Sequence, residues 1–373
     1  MKTAGKNSKV FVGLSGGVDS AVSAALLLKA GYDVTSVFIK VWQPDWIECN
    51  WKEERLEAMR VAAHLGIPFF TLDLEVEYKR EVIDYMIREY SAGRTPNPDV
   101  MCNRYVKFGA FWKWAAEQGA DYIATGHYAR IRSVPEARPR KRELLTGLDP
   151  NKDQSYFLWT LNQKDLEHVL FPVGHLQKTD VRHLAKKFGL PNAEKKDSQG
   201  LCFIGKVDIK AFLSHYIETK TGQVLNEMGE VIGSHPGALL FTIGERHGFT
   251  VTVNSPSSGK YYVIDKDLDR NTITVGNKAA GEILPGGERS VRIGNINWVS
   301  GEMPVSGSRG EASGYALQAR SRYRELLQNI KIVDVKIGQI TLEFQNPQES
   351  LTTGQSLVLY DREVCLGGGV IEE

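Results

Sequence analysis

Apolar and polar residues alternate along the first part of the chain with two distinct periods. Short apolar runs predict strands at Val10–Leu14, Val34–Trp42, Phe69–Leu74 and Tyr122–Thr125. Longer stretches with helical spacing predict helices at Asp19–Ala30, Trp51–Leu65, Val76–Tyr90 and Tyr105–Gln118. Strands separated by helices of this length predict βαβ units, and therefore an α/β fold with a parallel sheet and helices on both faces. Such sheets bind ligands at the carboxyl ends of their strands.

The pattern changes after a helix predicted at Asp208–Thr219. Beyond it, short alternating segments separated by glycines predict strands at Tyr261–Asp265 and Thr272–Val275, and two more that meet at Gly338-Gln339. Two small β-rich domains therefore follow the α/β domain. The predicted domains span residues 1–206, 207–280 and 281–373.

Six residues follow the first predicted strand and open the first helix: Ser15-Gly16-Gly17-Val18-Asp19-Ser20. Glycines without Cβ let backbone N–H groups close around phosphate oxygens, and the helix N-terminus adds unpaired donors and positive potential. The patterns G-x-x-x-x-G-K-[ST] and, after this strand, G-x-G-x-x-G are missing, which disfavours kinases, GTPases and dinucleotide-binding folds. The motif predicts a pyrophosphate-binding turn, and an ordinary glycine turn is the alternative.

Two cysteines lie in loops with polar surroundings. Cys102 ends the run Asn97-Pro98-Asp99-Val100-Met101-Cys102 just before a predicted helix, and Cys202 follows Lys196-Asp197-Ser198-Gln199-Gly200-Leu201. A helix N-terminus stabilises a thiolate, and Asp99 is a candidate proton acceptor. The alternative is that Asp99 or Asn103 only caps the helix.

Composition narrows the function only a little. The 373 residues are 42% apolar and 24% charged, which is ordinary for a globular chain of two to three domains, and the formal net charge of +1 exerts no global attraction on nucleic acid. No run approaches the length of a membrane span and the N-terminus lacks an apolar signal core, so we expect a cytoplasmic protein. The four cysteines include no C-x-x-C, which disfavours a zinc ribbon and a local iron–sulfur run. A disulfide framework is not expected in a cytoplasmic protein.

Taken in order, these motifs resemble the tRNA-specific 2-thiouridylases of the MnmA type, which belong to the PP-loop ATP pyrophosphatase superfamily. Further stretches match the same family: Ala124–Arg130, Lys152–Leu158, Lys178–Arg182, Phe241–Arg246 and Arg322–Arg324. The resemblance covers nearly the whole chain. It implies an N-terminal adenine nucleotide alpha hydrolase-like (PP-loop) domain, a small central β-rich domain and a C-terminal β-barrel-like domain.

The resemblance also implies roles for individual residues. ATP contacts would come from Gly13, Leu14, Ser15, Gly16, Gly17, Val18, Asp19, Ser20, Ile39 and Gly126. Contacts to the target base or the tRNA would come from Asn97, Pro98, Asp99, His127, Lys152, Asp153, Gln154, Arg322, Tyr323 and Gln355. The catalytic residues would be Cys102 as nucleophile, Cys202 as carrier of a persulfide, and Asp99. Asp19 is a candidate ligand for Mg²⁺.

The implied reaction adenylates the 2-carbonyl oxygen of the tRNA wobble uridine and replaces it with sulfur, giving 2-thiouridine, AMP and pyrophosphate. A sulfur-relay protein or cysteine desulfurase would charge Cys202, and turnover would leave a transient Cys102–Cys202 disulfide. Release of sulfide by Cys102 is an open alternative path. A labile iron–sulfur cluster on Asp99, Cys102 and Cys202 is another open possibility.

Three departures from the family pattern bear on substrate contacts, namely Ile39, Glu245 and Thr353. Basic residues at Arg138–Arg142 and Arg320–Arg324 are candidate RNA-binding groups. The remaining functional alternatives are sulfur insertion at a different tRNA base, amidation like that of NAD or GMP synthetases, and RNA binding without catalysis. The two cysteines disfavour amidation, and the intact pyrophosphate turn disfavours a noncatalytic protein.

The cysteine assignment predicts separable defects. Cys202→Ser should abolish thiolation while leaving ATP binding intact, and Cys102→Ser should block turnover, because each variant removes one sulfur of the relay. Thiolated nucleosides and bound ATP are the two readouts. Full activity in either variant would contradict the assignment.

Overall fold

The computed structural model describes residues 7–46, 51–134, 141–197, 209–252, 260–278, 288–304, 317–348 and 351–372. Its first sheet has five strands: β1 (Lys9–Gly13), β2 (Asp33–Lys40), β3 (Phe69–Asp73), β4 (Tyr122–Ala124) and β7 (Val169–Leu170). They lie in the order β3-β2-β1-β4-β7, and every neighbouring pair is parallel. The predicted parallel α/β sheet is confirmed.

Helices connect these strands and cover the sheet. They are α1 (Val18–Lys29), α2 (Trp51–Leu65), α3 (Glu75–Tyr78), α4 (Asp84–Ser91), α5 (Pro98–Met101), α6 (Phe111–Glu117), α7 (Gln163–His168) and α8 (Lys178–Lys187). A π-helical segment, Lys79–Ile83, joins α3 to α4, and a second, Cys102–Ala110, joins α5 to α6. The helix predicted from Tyr105 therefore begins earlier, at Pro98. Asn97 caps it through a hydrogen bond from the Val100 N–H, and proline is well tolerated at a first helical position.

The central sheet contains β8 (Gly222–Leu225), β9 (Val231–His235), β10 (Thr250–Val251), β11 (Lys260–Asp267) and β12 (Thr272–Lys278), in the order β10-β9-β8-β12-β11. The helix predicted at Asp208–Thr219 is shorter, since the described part is α9 (Ile209–Leu213). The chain turns directly after it, where the N–H groups of Tyr216 and Ile217 both bond to the carbonyl of Leu213.

The third sheet closes into an antiparallel six-stranded barrel. Its strands are β13 (Glu288–Trp298), β14 (Leu317–Arg320), β15 (Gln328–Lys336), β16 (Gln339–Gln348), β17 (Ser356–Asp361) and β18 (Val364–Glu372). The order β13-β16-β15-β14-β17-β18 returns to its start through pairing of β13 with β18. The domain boundaries predicted near residues 206 and 280 lie outside the described residues, so they stay predictions.

A hairpin from the N-terminal domain extends the barrel sheet. It consists of β5 (Ala129–Val134) and β6 (Lys141–Thr146), and β6 pairs antiparallel with β18. The basic stretch Arg138–Arg142, a candidate RNA-binding group, is predicted from the sequence to be a surface loop, but Lys141 and Arg142 belong to β6. Arg142 uses its guanidinium to bond the Leu166 carbonyl at 2.7 Å, and residues 138–140 lie outside the described residues.

A buried ion pair connects the same two domains. Arg320 of β14 contacts the Asp153 carboxylate at 2.5 Å, and both side chains are almost fully buried. Asp153 also accepts hydrogen bonds from the Gly147 N–H at 2.8 Å and the Ser155 hydroxyl at 3.0 Å, while Arg320 donates to the Tyr360 hydroxyl at 2.8 Å. Since buried charges are tolerated only when paired and hydrogen-bonded, this network fixes the barrel against the N-terminal domain. No helix in the described ranges is long and apolar enough to cross a membrane.

Asp153→Asn should destabilise the folded protein by about 3 kcal/mol, because it leaves the Arg320 charge buried without a counter-ion. Thermal or urea unfolding in the absence of ligands measures the effect. Glu302→Gln is the matched control, since Glu302 pairs with Lys141 on the surface and exposed pairs contribute little. Equal stability of the two variants would contradict a locking role for the buried pair.

Candidate active site

The carboxyl ends of β1 and β4 form the crevice at which the strand order changes direction. From β1 the chain proceeds to β2 and β3 on one side, whereas β4 and β7 lie on the other. Open α/β sheets bind ligands at such a switch point. Residues 15–20 follow β1 and residues 125–127 follow β4, so the structure brings both predicted strand-end motifs to one place.

The turn after β1 is held by its own serines. The Ser20 hydroxyl lies 3.3 Å from both the backbone nitrogen and the hydroxyl of Ser15, and it donates to the Gly17 carbonyl at 3.1 Å. Helix α1 begins at Val18, and no side chain caps it at Gly17. The first N–H groups of this helix therefore remain available for an anion.

Glycine is required at two points around this turn. Gly16 has a φ of +74°, and a Cβ there would lie 2.7 Å from the Glu54 carbonyl oxygen of α2. A Cβ on Gly126 would lie 2.7 Å from the Ser20 nitrogen. Distances below 3.0 Å require something to shift, so both glycines let one main chain approach another directly. Ile39, the other predicted ATP contact, is buried at the end of β2.

Charged side chains surround the first turn of α1. Lys178, at the start of α8, bonds both carboxylate oxygens of Asp19 at 2.7 and 2.9 Å, and the Tyr128 hydroxyl donates to the same carboxylate at 2.7 Å. Lys178 also contacts Asp197 at 2.8 Å, and Asp197 in turn contacts Lys152 at 2.6 Å and Arg182. Burial and the Asp19 charge together raise the pKa of Tyr128 well above its usual range, so this phenol keeps its proton and donates a hydrogen bond to Asp19.

The Asp197 carboxylate is ionised at neutral pH. Burial alone would raise its pKa, but hydrogen bonds from Lys152 and Lys178 more than offset this and lower the pKa to about 2. A carboxyl group with a lowered pKa keeps its ion pairs above its unfolded pKa of about 4. These pairs are therefore complete at neutral pH and are lost only as the pH falls towards 2.

The loop that precedes Cys102 is held by the other two domains. Gln355 of the barrel domain donates its side-chain amide to the carbonyls of Thr95 and Pro96, each at 3.1 Å. The Thr95 N–H bonds the Thr353 carbonyl at 2.9 Å, and the Thr95 hydroxyl lies 3.0 Å from that of Thr242 in the central domain. The structure thus gives Gln355 a role in holding this loop, and its predicted contact with tRNA stays a prediction.

Cys102 begins the second π-helical segment and is fully buried, in an apolar cluster that includes Val100 and Val106. The neighbouring Asn103 donates its amide to the Phe157 carbonyl at 3.0 Å. Asn97 is buried at the helix cap, and Pro98 and Asp99 are half-buried. Cys202 and the rest of residues 198–208 lie outside the described residues, so the pairing of the two cysteines stays a prediction.

The other predicted tRNA contacts have partners within the protein. His127 is buried, and its Nδ1 lies 2.7 Å from the Thr125 hydroxyl. Burial, with a smaller contribution from Lys107, holds the pKa of His127 well below its ordinary value, so the ring is neutral at pH 7. The side-chain amide oxygen of Gln154 accepts a hydrogen bond from the Tyr128 N–H at 3.0 Å. Contacts of these residues with RNA stay predictions.

Arg322 and Tyr323 lie on the barrel beside the N-terminal domain and are partly exposed. Arg322 donates to the Ile243 carbonyl at 3.0 Å, and the Tyr323 ring packs 4.8 Å from that of Phe157. Lys152 is also partly exposed. These three side chains can present cationic and aromatic surface to a ligand without a change in the fold.

The donor set fits a nucleotide polyphosphate better than a metal held by the protein. Among the described residues, no three His, Cys, Asp or Glu side chains gather to hold an ion. Both oxygens of Asp19 already accept hydrogen bonds, so Mg²⁺ would be held chiefly through phosphate oxygens, as is usual for this ion. Direct ligation by Asp19 stays a prediction.

The sequence predicted the turn but not the side chains that surround it. Tyr128, Lys178 and Asp197 lie in stretches that match the family pattern, but the pattern assigned them no role. Asn192 lies outside those stretches. Spacing along the chain carried no signal for these contacts, because Lys178 is 159 residues from Asp19 and Asn192 is 176 residues from Gly16.

Comparison with known proteins gives matches along the whole chain. The tRNA methyl transferase HUP domain model matches residues 8–206, the tRNA methyl transferase PRC-barrel domain model residues 210–277, and the aminomethyltransferase beta-barrel domain model residues 288–371. The tRNA-specific 2-thiouridylase MnmA 2 of Geobacillus kaustophilus is 43% identical over 376 residues, which cover 100% of this chain and 97% of the relative. The chain belongs to the tRNA-specific 2-thiouridylase (MnmA) family.

Other members of this family give the same picture. The tRNA-specific 2-thiouridylase MnmA of Lacticaseibacillus paracasei is 42% identical over 98% of this chain and 94% of the relative. That of Alcanivorax borkumensis is 41% identical over 100% of both chains. The family resemblance inferred from the motifs is confirmed.

Lys178→Met should raise KM for ATP by about tenfold or more, because it leaves the Asp19 carboxylate uncompensated where the phosphates are expected to bind. Steady-state kinetics or calorimetry measures this. Lys186→Met is the matched control, since Lys186 lies on the same helix and pairs with the exposed Glu194. If the two variants have the same affinity for ATP, Lys178 has no special role at this site.

Proposed function

We propose that this protein is an ATP-dependent tRNA sulfurtransferase that converts the wobble uridine to 2-thiouridine and releases AMP and pyrophosphate. One observation carries the proposal most strongly. The chain matches tRNA-specific 2-thiouridylases over its whole length, and its helix α1 begins without a side-chain cap at the switch point of the parallel sheet, which supports phosphate binding there.

ATP binds with its pyrophosphate part over the turn of residues 15–20. Backbone N–H groups at the start of α1 and the Ser15 hydroxyl donate to the phosphates, since Ser15 is exposed and α1 has no competing cap. Lys178 supplies positive charge from the side of Asp19. Mg²⁺ bound through the phosphate oxygens would neutralise the charge of the leaving pyrophosphate.

The first chemical step activates the base. The uracil 2-oxygen attacks the α-phosphorus, and the bond to the β-phosphate breaks, so pyrophosphate leaves and an O-adenylated uracil forms. Asp99 is the candidate proton acceptor at the base, because it lies half-buried in the first turn of the helix that begins at Pro98. The contacts of Gln355 and Thr242 with Thr95 hold the loop before this helix in position for the base.

The second step transfers sulfur. The terminal sulfur of a Cys202 persulfide attacks carbon 2 of the base, and AMP leaves with the former 2-oxygen. The Cys102 thiolate then attacks the inner sulfur of Cys202, which releases the 2-thiouridine and leaves a Cys102–Cys202 disulfide for an external thiol to reduce. Because Cys102 is fully buried in the ligand-free structure, this step requires the start of the π-helical segment to move.

The tRNA substrate and the persulfide donor complete the proposal. Lys152, Arg322 and Tyr323 are the partly exposed groups that suit phosphate contact and base stacking. Restriction to tRNAs for glutamate, glutamine and lysine and a sulfur-relay or desulfurase partner rest on the sequence resemblance alone. A cytoplasmic location rests on the expectation drawn from the sequence composition.

The test is a reconstitution with unmodified tRNA, ATP, Mg²⁺ and a sulfide or persulfide source, followed by digestion and mass spectrometry of the nucleosides. We expect 2-thiouridine only when ATP is present, with AMP formed in equal amount. Omission of ATP and replacement by a nucleotide that cannot be cleaved between the α- and β-phosphates are the controls. Sulfur at another position, or AMP without any change in the tRNA, would contradict the acceptor assignment.

A further inference from the structure

The Gly16–Gly17 peptide is the part of the phosphate cradle with the least intrinsic rigidity. Neither residue has a Cβ, and Gly16 already occupies the positive-φ region at +74°. A peptide between two glycines can rotate between orientations at little steric cost. Because the carbonyl and N–H of a planar trans peptide point in opposite directions, that rotation would turn the Gly17 N–H away from the phosphate site.

Asn192 holds this peptide in one orientation. Its side-chain amide nitrogen donates to the Gly16 carbonyl at 2.9 Å. With the carbonyl directed to Asn192, the N–H of the same peptide points to the opposite side, where its contact is the Ser15 hydroxyl at a long 3.4 Å. A phosphate oxygen can readily replace so weak a contact.

The environment of Asn192 indicates that the donor itself is needed. The residue is only 8% exposed, and its amide oxygen is buried with no hydrogen-bond partner among the described residues. Leaving a buried acceptor unsatisfied is unfavourable, and an apolar side chain would avoid that cost. Reversing the amide would not help, since it would place one oxygen against another.

The loop that carries Asn192 is itself fixed. Arg182 of α8 donates to the carbonyls of Ala193 and Lys195, and Lys195 pairs with Glu57 of α2. Ala193 also packs on the apolar cluster beneath α1. These contacts hold the loop in place, so the backbone of Asn192 has a fixed position relative to Gly16.

We propose that Asn192 is a positioning residue for adenylation, which locks the Gly16–Gly17 peptide so that its N–H faces the pyrophosphate part of ATP. This inference rests on the proposed function, since it concerns the same nucleotide site. Asn192 does not itself touch the substrate. It acts through the orientation of one backbone donor.

The decisive comparison is Asn192→Asp, which keeps the shape of the side chain but replaces the donor with a carboxylate that repels the Gly16 carbonyl. We expect the dissociation constant for ATP to rise at least about tenfold, equivalent to about 1.4 kcal/mol. That for AMP, which lacks the pyrophosphate, should change less than about twofold. Calorimetric titration of both nucleotides gives the ratio, which a general loss of structure would not change selectively.

Two further variants keep the test decisive. Asn192→Ala should weaken ATP binding less than Asn192→Asp, because it removes the donor without adding repulsion, and Asn192→Gln should restore part of the affinity. Asn329→Asp, an exposed amide on the barrel, is the control for the same chemical change. In kinetics the effect should fall on KM for ATP, with KM for tRNA unchanged.

The outcomes separate this inference from the proposed function. If the unaltered protein forms 2-thiouridine with ATP but all three Asn192 variants bind ATP and AMP as it does, the positioning role is wrong while the function stands. Equal losses of ATP and AMP affinity would also overturn it. If the unaltered protein binds ATP but modifies no tRNA, the function fails, and the ratio of ATP to AMP affinity still tests Asn192.

Discussion

Direct contact of main chain with main chain at the switch point is the constraint on which the site depends. The backbone of Gly126, after β4, lies so close to the first turn of α1 that a single methyl group would collide with the Ser20 nitrogen. On the other side, a Cβ added at Gly16 would lie equally close to the Glu54 carbonyl oxygen of α2, at 2.7 Å. The phosphate turn is therefore confined on both sides by backbone, and its N–H groups are set before any ligand arrives. Preorganised donors of this kind contribute to binding and catalysis because they need no reordering.

Residues that are distant in sequence supply positive charge beside the turn, which has no basic residue of its own. Lys178 forms an ion pair with Asp19. Asp197 forms ion pairs with Lys152, Lys178 and Arg182, and it lies immediately before residues 198–208, the range that contains Cys202. These ion pairs therefore connect the turn of residues 15–20 to the start of the segment in which the persulfide is predicted. The barrel contributes separately, because Gln355 and the Asp153–Arg320 pair hold the loops around Cys102 and Lys152.

The sequence predicted the α/β sheet and the phosphate turn because both follow from short-range rules. Apolar periodicity placed β1, β2, β3 and β4 within one or two residues, and the paired glycines marked the turn. The barrel closure and the β5–β6 hairpin did not follow from local pattern, since β6 pairs with β18 more than 200 residues away. The contacts of Asn192 and Lys178 could not be predicted for the same reason: a polar residue gives no local sign of a partner that is distant in sequence. Burial of Asp153 was not predicted either, because a family motif does not distinguish a residue that contacts substrate from one that supports it.

In the proposed reaction the 2-oxygen of uridine leaves as part of AMP. Transcribing a tRNA with ¹⁸O at the uracil 2-position and analysing the AMP after one turnover tests this directly. We expect one ¹⁸O atom in AMP for each 2-thiouridine formed, because sulfur attack breaks the bond from carbon 2 to that oxygen. AMP without label, alongside thiolated tRNA, would contradict activation through an adenylated uracil.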